Sequence, residues 1–414
     1  MHFRRLIYWV LGILVLIDLY VFQAVKAIVH FSSHRVKFWS YLSYWVITGI
    51  GLAFILFFPL LHIETWPKTL RGVVLSLVLG LYVAKIFTVF FLILDDIRRF
   101  FQWVIEKVFP GEIPDALKDS SISRSKFMSQ LGLLVGGTLF ATFIYGFSNK
   151  YNYRIRRVKL QLPGLPPGFR GLRIAQISDI HSGSFDNRPK VERGVQMVMD
   201  EKPDIIFFTG DLINNHAEEM NDYLEVFGRL KAPMGIWSIL GNHDYGDYTS
   251  WPSPEAKAQN LQRLKDLEAS MGWTMLNNAH AILERNGDQV ALIGVENWSA
   301  KRHFSRYGDL KKAYAGTESY PFKILMTHDP THWDAQVRPE FPDIALTLSG
   351  HTHGMQFGVE IPGISWSPAQ YVYKEWADLY HEGNQWIYVN RGYGFIGYPG
   401  RVGILPEITI FDLS

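Results

Sequence analysis

The sequence predicts two regions of different physical class: an all-α bundle of four transmembrane spans, then an α/β domain whose sheets are covered on both faces. Three observations carry that expectation. Long apolar stretches crowd the first third of the chain. Short unbroken apolar runs alternate with helical patterns from residue 151 onward. Polar residues able to bind metal recur just beyond those short runs.

The long stretches are 6–29, 41–61, 73–94 and 131–147. A helix needs about 20 apolar residues to cross the hydrocarbon. The first three suffice; the fourth is short but usable, and alone it would read as a buried helix or a signal h-region. Residues 1–147 are therefore expected to form a multi-pass membrane anchor. Asp18 and Lys85 fall inside spans, where a charge is costly and raises the question of an ion path. No other residue in the bundle suggests such a path, so the two are expected to pair or to line the bundle interior. Residues 95–109 place Ile97, Phe100, Phe101, Val104, Ile105 and Val108 at helical spacing, opposite a charged face. That pattern suits an interfacial amphipathic helix, or equally the end of span three. Residues 110–125, rich in Pro, Asp and Ser, read as a loop.

Basic residues flank the two sides of the spans almost equally, so charge does not orient the anchor. "SRSKFM" (123–128) resembles a twin-arginine export motif with Ser in place of the second Arg, which leans the C-terminal domain to the extracytoplasmic side. Net charge is only +2, so no nucleic-acid partner is expected. With no cysteine, disulfides, thiolate nucleophiles and zinc-thiolate sites are excluded, and any metal must be held by His, Asp, Asn or Glu.

Residues 148–170 read as a linker ending in the turn-rich "LPGLPPGF", and 171–414 as the second domain. Strands are expected at 172–178, 204–209, 235–240, 290–295, 322–327 and 344–349, with helices near 188–200, 217–230, 254–270 and 330–337. Apolar runs without alternation fit strands buried on both faces. Functional residues in such folds gather beyond the strand ends.

Candidate ligands do occur there. "SDIHSG" supplies Asp179 and His181, "GDLIN" supplies Asp211, and "GNHD" supplies Asn242, His243 and Asp244. "THDP" supplies His328, and "GHTH" supplies His351 and His353. Alone, Asp211 or Asn242 would read as a helix cap or turn residue. Five strand ends converging on this chemistry point instead to a pair of hard or borderline divalent ions, Mn, Fe, Zn or Mg. Two such ions acidify a shared water and clamp a phosphoryl group. Glycines beside the ligands (Gly210, Gly241, Gly350) allow tight turns and close approach.

The ordered set DxH, GDxxN, GNHD, H and GHTH resembles the calcineurin-like metallophosphoesterase family over about residues 165–414. "YVNRGYG…PGR…PEITIFDL" looks like the tail of its bacterial membrane-anchored branch. No comparable resemblance covers 1–150. The resemblance implies an α/β sandwich of two sheets flanked by helices. It implies that Asp179, His181 and His353 hold one metal, that Asn242, His328 and His351 hold the other, and that Asp211 bridges them. His243 would protonate the leaving oxygen as general acid or steady charge on the phosphoryl group, with Asp244 supporting the ligands. Relatives often carry an Asp three residues after the bridging one to orient that histidine; here the position is Asn214. His216, His280, His303 and His332 are expected to be structural or surface residues, and Arg391 either to reach a phosphate or to pin a loop.

The implied activity is hydrolysis of a phosphodiester, pyrophosphate or phosphomonoester by a metal-bridging hydroxide. Tethering favours a lipid-linked substrate, such as a phospholipid or UDP-diacylglucosamine. The rivals are a non-catalytic metal-binding scaffold or regulatory module, and a transporter resting on Asp18 and Lys85. Substrate choice is expected in loops 245–260 and 296–310.

Overall fold

The computed structural model describes residues 2–108 and 115–414. The chain separates into two compact units, Met1–Tyr145 and Gly146–Ser414.

The first unit is built from α1 (His2–Ile28), α2 (His34–Phe57), α3 (Lys68–Val108) and α4 (Asp115–Ser148). All four are long and apolar enough to cross a membrane. Close packing of α3 on α4 depends on Gly136, where a Cβ would lie 2.6 Å from Ala84 O. Asp18 and Lys85 are buried and meet each other at 2.5 Å, with Thr48 Oγ1 2.7 Å from the ammonium. They therefore pair inside the bundle, one of the two arrangements expected of them.

Two expectations change here. Residues 95–108 form no separate helix but continue α3, whose 41 residues extend about 60 Å against a hydrocarbon core of about 30 Å. No Gly or Pro interrupts the chain between the apolar and amphipathic parts. The loop expected at 110–125 is helical from Asp115, because neither Gly nor Pro follows Pro114 in that stretch; 109–114 lie outside the described residues.

The second unit holds two six-stranded mixed sheets. The first contains β1 (Arg154–Leu160), β2 (Arg173–Ile177), β3 (Ile205–Phe208), β4 (Ile236–Ser238), β5 (Trp273–Met275) and β14 (Glu407–Leu413), in the order β1-β14-β2-β3-β4-β5. The second contains β6 (Ala279–Arg285), β7 (Asp288–Gly294), β8 (Lys323–Met326), β9 (Ile344–Ser349), β12 (Asp378–Glu382) and β13 (Gln385–Val389), in the order β12-β13-β9-β8-β7-β6. A small hairpin, β10 (Val359–Ile361) and β11 (Ile364–Trp366), stands apart from both.

The strands show why their sequences do not alternate. Ile205 and Phe207 of β3 share one buried core with Ile324 and Met326 of β8 and Leu346 and Leu348 of β9. Ile206 and Phe208 point the other way, into a core that includes Val191, Val195 and Val198 of α5 (Arg188–Asp200). Leu325 and Ile344 likewise face a third core, with Trp333. The sheets thus pack face to face with helices outside, and each buried large side chain contributes about 1.5–3 kcal/mol. Asn187 caps α5 by accepting from Lys190 N.

Residues 148–170 are not a free linker. They supply β1, which pairs in parallel with β14 from Arg154↔Glu407 to Leu160↔Leu413. Four cations in seven residues hid this edge strand. The helix expected over 217–230 is broken into Ala217–Met220 and α6 (Leu224–Phe227), whereas α7 spans Pro254–Ser270.

Candidate metal centre

The candidate residues lie just beyond β2, β3 and β4 of one sheet and β8 and β9 of the other. Getting five side chains to turn inward there demands unusual backbone. Asp179, His181, Asp211, His351 and His353 all have positive φ, between 51° and 72°. Non-glycine residues avoid this region, and clusters of such strain mark functional sites. The neighbouring backbones approach so closely that a Cβ on Gly241 would lie 2.6 Å from Asp211 N.

Two groups converge, Asp179 with His181 and His353, and Asp211 with His328 and His351; within each, the potential ligand atoms lie within 4.8 Å of one another. His181 Nε2 and His353 Nε2 are 3.1 Å apart, aimed at one point, and His353 Nε2 is 3.3 Å from Asp179 Oδ1. Asp211 Oδ2 stands between the groups, 3.5 Å from His181 Nε2 and 3.2 Å from His328 Nε2. Asn242 Oδ1 lies 2.8 Å from His351 Nδ1.

The outer nitrogens show which lone pairs face inward. His181 Nδ1 donates to Asn214 Oδ1 at 3.1 Å, and His328 Nδ1 donates to Thr209 O at 2.7 Å. His351 Nε2 lies 3.0 Å from Tyr373 OH and 3.5 Å from Asp329 Oδ2. A hydrogen bond on the outer nitrogen fixes the tautomer and leaves the inner one as a ligand. His328 Nε2 is buried without a hydrogen-bond partner, as a ligand atom would be. The donor set therefore fits divalent metal.

Electrostatics agree. Burial holds the His181, His351 and His353 imidazoles below their ordinary range, His351 at about 4, so they are neutral. Burial also opposes charge on His328, yet Asp211 and Asp179 push it up to about 10. The two carboxylates thus draw positive charge to this spot strongly enough to keep a proton on an imidazole. A cation bound there would release that proton.

His243, half-buried, sits against this cluster with its ring 5.0 Å from that of His181. Its Nδ1 donates to the backbone carbonyl of Asn214 at 2.9 Å. The side chain of Asn214 does not orient His243; it faces His181 and Ser184. An amide turned toward His181 leaves only its main-chain oxygen for His243. Asp244 accepts four backbone N–H groups, from Gly241, Asp211, Leu212 and Ile213 at 2.8–3.2 Å. It ties the Asp211 loop to the Asn242 loop.

Arg391 does not face the cluster. It is fully buried and pairs with Glu360, Asp378 and Glu407, so it pins the strand ends. His332 is buried between Thr327, Gln336 and the Trp298 ring. His280 binds Ala313 O, His216 lies against Trp251 and His303 lies against Phe304. Loops 245–260 and 296–310 are joined through Asp247, which pairs with Lys257 and accepts from Ser305 and Tyr307. Sequence reasoning missed Tyr248, which accepts from Asn242 Nδ2 at 2.9 Å, and Tyr373. No local pattern marks either tyrosine. It also missed Arg401, buried and 3.1 Å from His353 Nδ1, and Asp329, visible only as the residue after His328.

This fold and this cluster define a class, and the chain belongs to the calcineurin-like metallophosphoesterase family. Residues 172–355 match the family model for calcineurin-like phosphoesterases. Residues 4–150, where the sequence showed no resemblance, match a model described as a probable calcineurin-like phosphoesterase transmembrane domain. With its four candidate spans, the chain is a membrane protein.

Among its relatives, an uncharacterized metallophosphoesterase of Bacillus subtilis, YkuE, is 30% identical over 71% of this chain and 98% of its own length. The zebrafish (Danio rerio) "transmembrane protein with metallophosphoesterase domain" is 32% identical over 64% of this chain, which spans 59% of that relative. An uncharacterized metallophosphoesterase of Helicobacter pylori is 24% identical over 92% of this chain and 90% of its own.

Proposed function

We propose that this protein is a membrane-anchored phosphoesterase that uses two divalent ions to hydrolyse a phosphodiester, pyrophosphate or phosphomonoester. The position of Asp211 Oδ2 between His181 and His328 carries the reading. One ion would be held by Asp179, His181 and His353, the other by Asn242, His328 and His351, with Asp211 shared. When bound, such a pair of ions, Mn, Fe, Zn or Mg, supplies an acidified water and neutralises phosphoryl charge. His243 keeps Nδ1–H on the Asn214 carbonyl, so Nε2 is the atom that holds a proton for the leaving oxygen. Asp244 fixes the two loops that carry Asp211 and Asn242.

The substrate is assigned as lipid-linked, supported by the anchor that precedes the domain. The catalytic unit is assigned to the extracytoplasmic side, supported by the resemblance of 123–128 to an export motif. Cleavage of that unit by protease added to right-side-out vesicles supports this assignment, and full protection refutes it.

The activity is tested with the purified full chain, bis-p-nitrophenyl phosphate and Mn²⁺, then EDTA, beside Asp211→Asn and His243→Ala. Metal-dependent turnover lost in both variants supports the phosphoesterase. Stoichiometric metal binding without turnover on this ester or on a panel of lipid phosphates would move the assignment to a scaffold.

A further inference from the structure

A small hairpin interrupts the strand order between the two site histidines and the rest of the second sheet. β10 and β11 pair Val359 with Trp366, Glu360 with Ser365 and Ile361 with Ile364, around a Pro362-Gly363 turn in which Gly363 has φ 82°. Alternation sorts its side chains. Glu360 faces the domain and pairs with Arg156 and Arg391. Val359, Ile361 and Ile364 are exposed, at 45%, 55% and 56%. Apart from Tyr248 and Tyr307, every large hydrophobic side chain exposed on this unit, among the described residues, falls between Met355 and Val372. A concentrated patch of this kind marks a surface that meets something apolar.

The main chain shows what lies within reach. Gly146, in the last turns of the helix that carries the fourth span, accepts a hydrogen bond from Arg401 N at 2.9 Å. Val402 N donates to Gln356 O, and Gly358 N donates to Val402 O, both at 2.8 Å. The root of the hairpin is therefore tied through one loop to Gly146, near the C-terminal end of that helix. On β1, Arg154, which lines the cleft beside the hairpin tip, and Lys159 are exposed, whereas Arg156 and Arg157 are paired with Glu360 and Glu201. Exposed basic residues attract anionic headgroups when they lie near a bilayer.

We infer that the β10–β11 hairpin inserts its apolar face into the interfacial layer of the bilayer that the chain's own spans cross. The stretch begins just after His353 and ends just before Tyr373, whose hydroxyl meets His351. Contact with lipid along it sets the rim of the metal cluster at the membrane surface. The inference concerns where the domain rests and stands apart from the phosphoesterase assignment.

The absence of native cysteine makes the test direct. Single cysteines are introduced into the full chain as Ile361→Cys, as Leu134→Cys on the exposed face of the fourth span, and as Ala269→Cys on exposed α7. Each is labelled in detergent with a nitrobenzoxadiazole dye and reconstituted in phosphatidylcholine–phosphatidylglycerol nanodiscs, with or without doxyl-labelled lipid. Emission at 361 is expected to be blue-shifted and to fall by about half with doxyl lipid, as at 134, while 269 is unchanged. Water-like emission at 361, matching 269, would overturn the inference. So would a blue shift without quenching, which would mean that protein or a second copy covers the hairpin.

Discussion

Asp244 offers the sharpest test of how the candidate metal centre is held together. Its two oxygens divide four backbone donors: Oδ2 takes Gly241 N and Asp211 N, and Oδ1 takes Leu212 N and Ile213 N. Only a carboxylate accepts at both atoms. Burial and the nearby Asp211 charge push its pKa up to about 7, but the four donors are satisfied by the ionised form alone, and that form is the one the loops are built around. Asp244→Asn replaces one oxygen with an amide nitrogen and leaves two buried N–H groups facing a donor. At about 1–3 kcal/mol per stranded group, the loss is about 2–6 kcal/mol. The assay is hydrogen–deuterium exchange at residues 211–213 and 241 in the full chain. A loss of 2 kcal/mol speeds exchange there by about 30-fold, while peptides from the anchor are unchanged. Exchange within about threefold of wild type at those amides would refute the account of Asp244 as the clamp between the two loops.

Other predictions follow from buried groups elsewhere. Glu268, fully buried beside Ser238, has its pKa pushed up from 4.5 to about 8, first by desolvation and then by Asp244. The folded protein thus holds a proton that the unfolded chain releases near pH 4.5, so stability falls as pH rises from there to about 8, by at most about 1.4 kcal/mol per unit. Glu268→Gln should match wild type in melting temperature at pH 5 and exceed it at pH 9. Asn214→Ala removes the acceptor that fixes His181 and should weaken Mn²⁺ binding by roughly 10–100-fold in calorimetric titration. Because His243 binds the backbone of residue 214, turnover at saturating metal should stay close to wild type. In the anchor, Asp18→Leu alone strands Lys85 and should cost about 3–5 kcal/mol in detergent-unfolding experiments, whereas Asp18→Leu with Lys85→Leu should be near neutral.

The parts of the structure legible in the sequence were those with one dominant physical signal. The spans announce themselves by length. The six central strands do so because both faces are buried: Ile205 to Phe208 is an unbroken apolar run because alternate residues enter two different cores. The candidate ligand positions were readable because each follows such a strand. Edge elements were not. β1 carries Arg154, Arg156, Arg157 and Lys159, so its pattern resembles a charged linker until its partner β14 is known. The tyrosines near Asn242 and His351 could not be anticipated, because their roles come from long-range packing. Asn214 shows a subtler limit. Its adjacency to His243 was legible, but which of its atoms makes the contact depends on where Ser184 and His181 lie.

The placement of β14 has a consequence for the order in which the protein matures. It lies between β1 and β2, and Arg154 meets Glu407 across most of the domain's sequence. While the ribosome is still making residues before 407, β2 has an open flank, and the loop bearing Asp179 and His181 hangs from an unsupported edge. Non-local closure of this kind is slow. The spans can enter the bilayer long before the metal cluster takes shape, so newly inserted molecules should pass through an anchored, inactive stage. A quality-control protease could distinguish that stage from the finished protein by the unpaired edge alone.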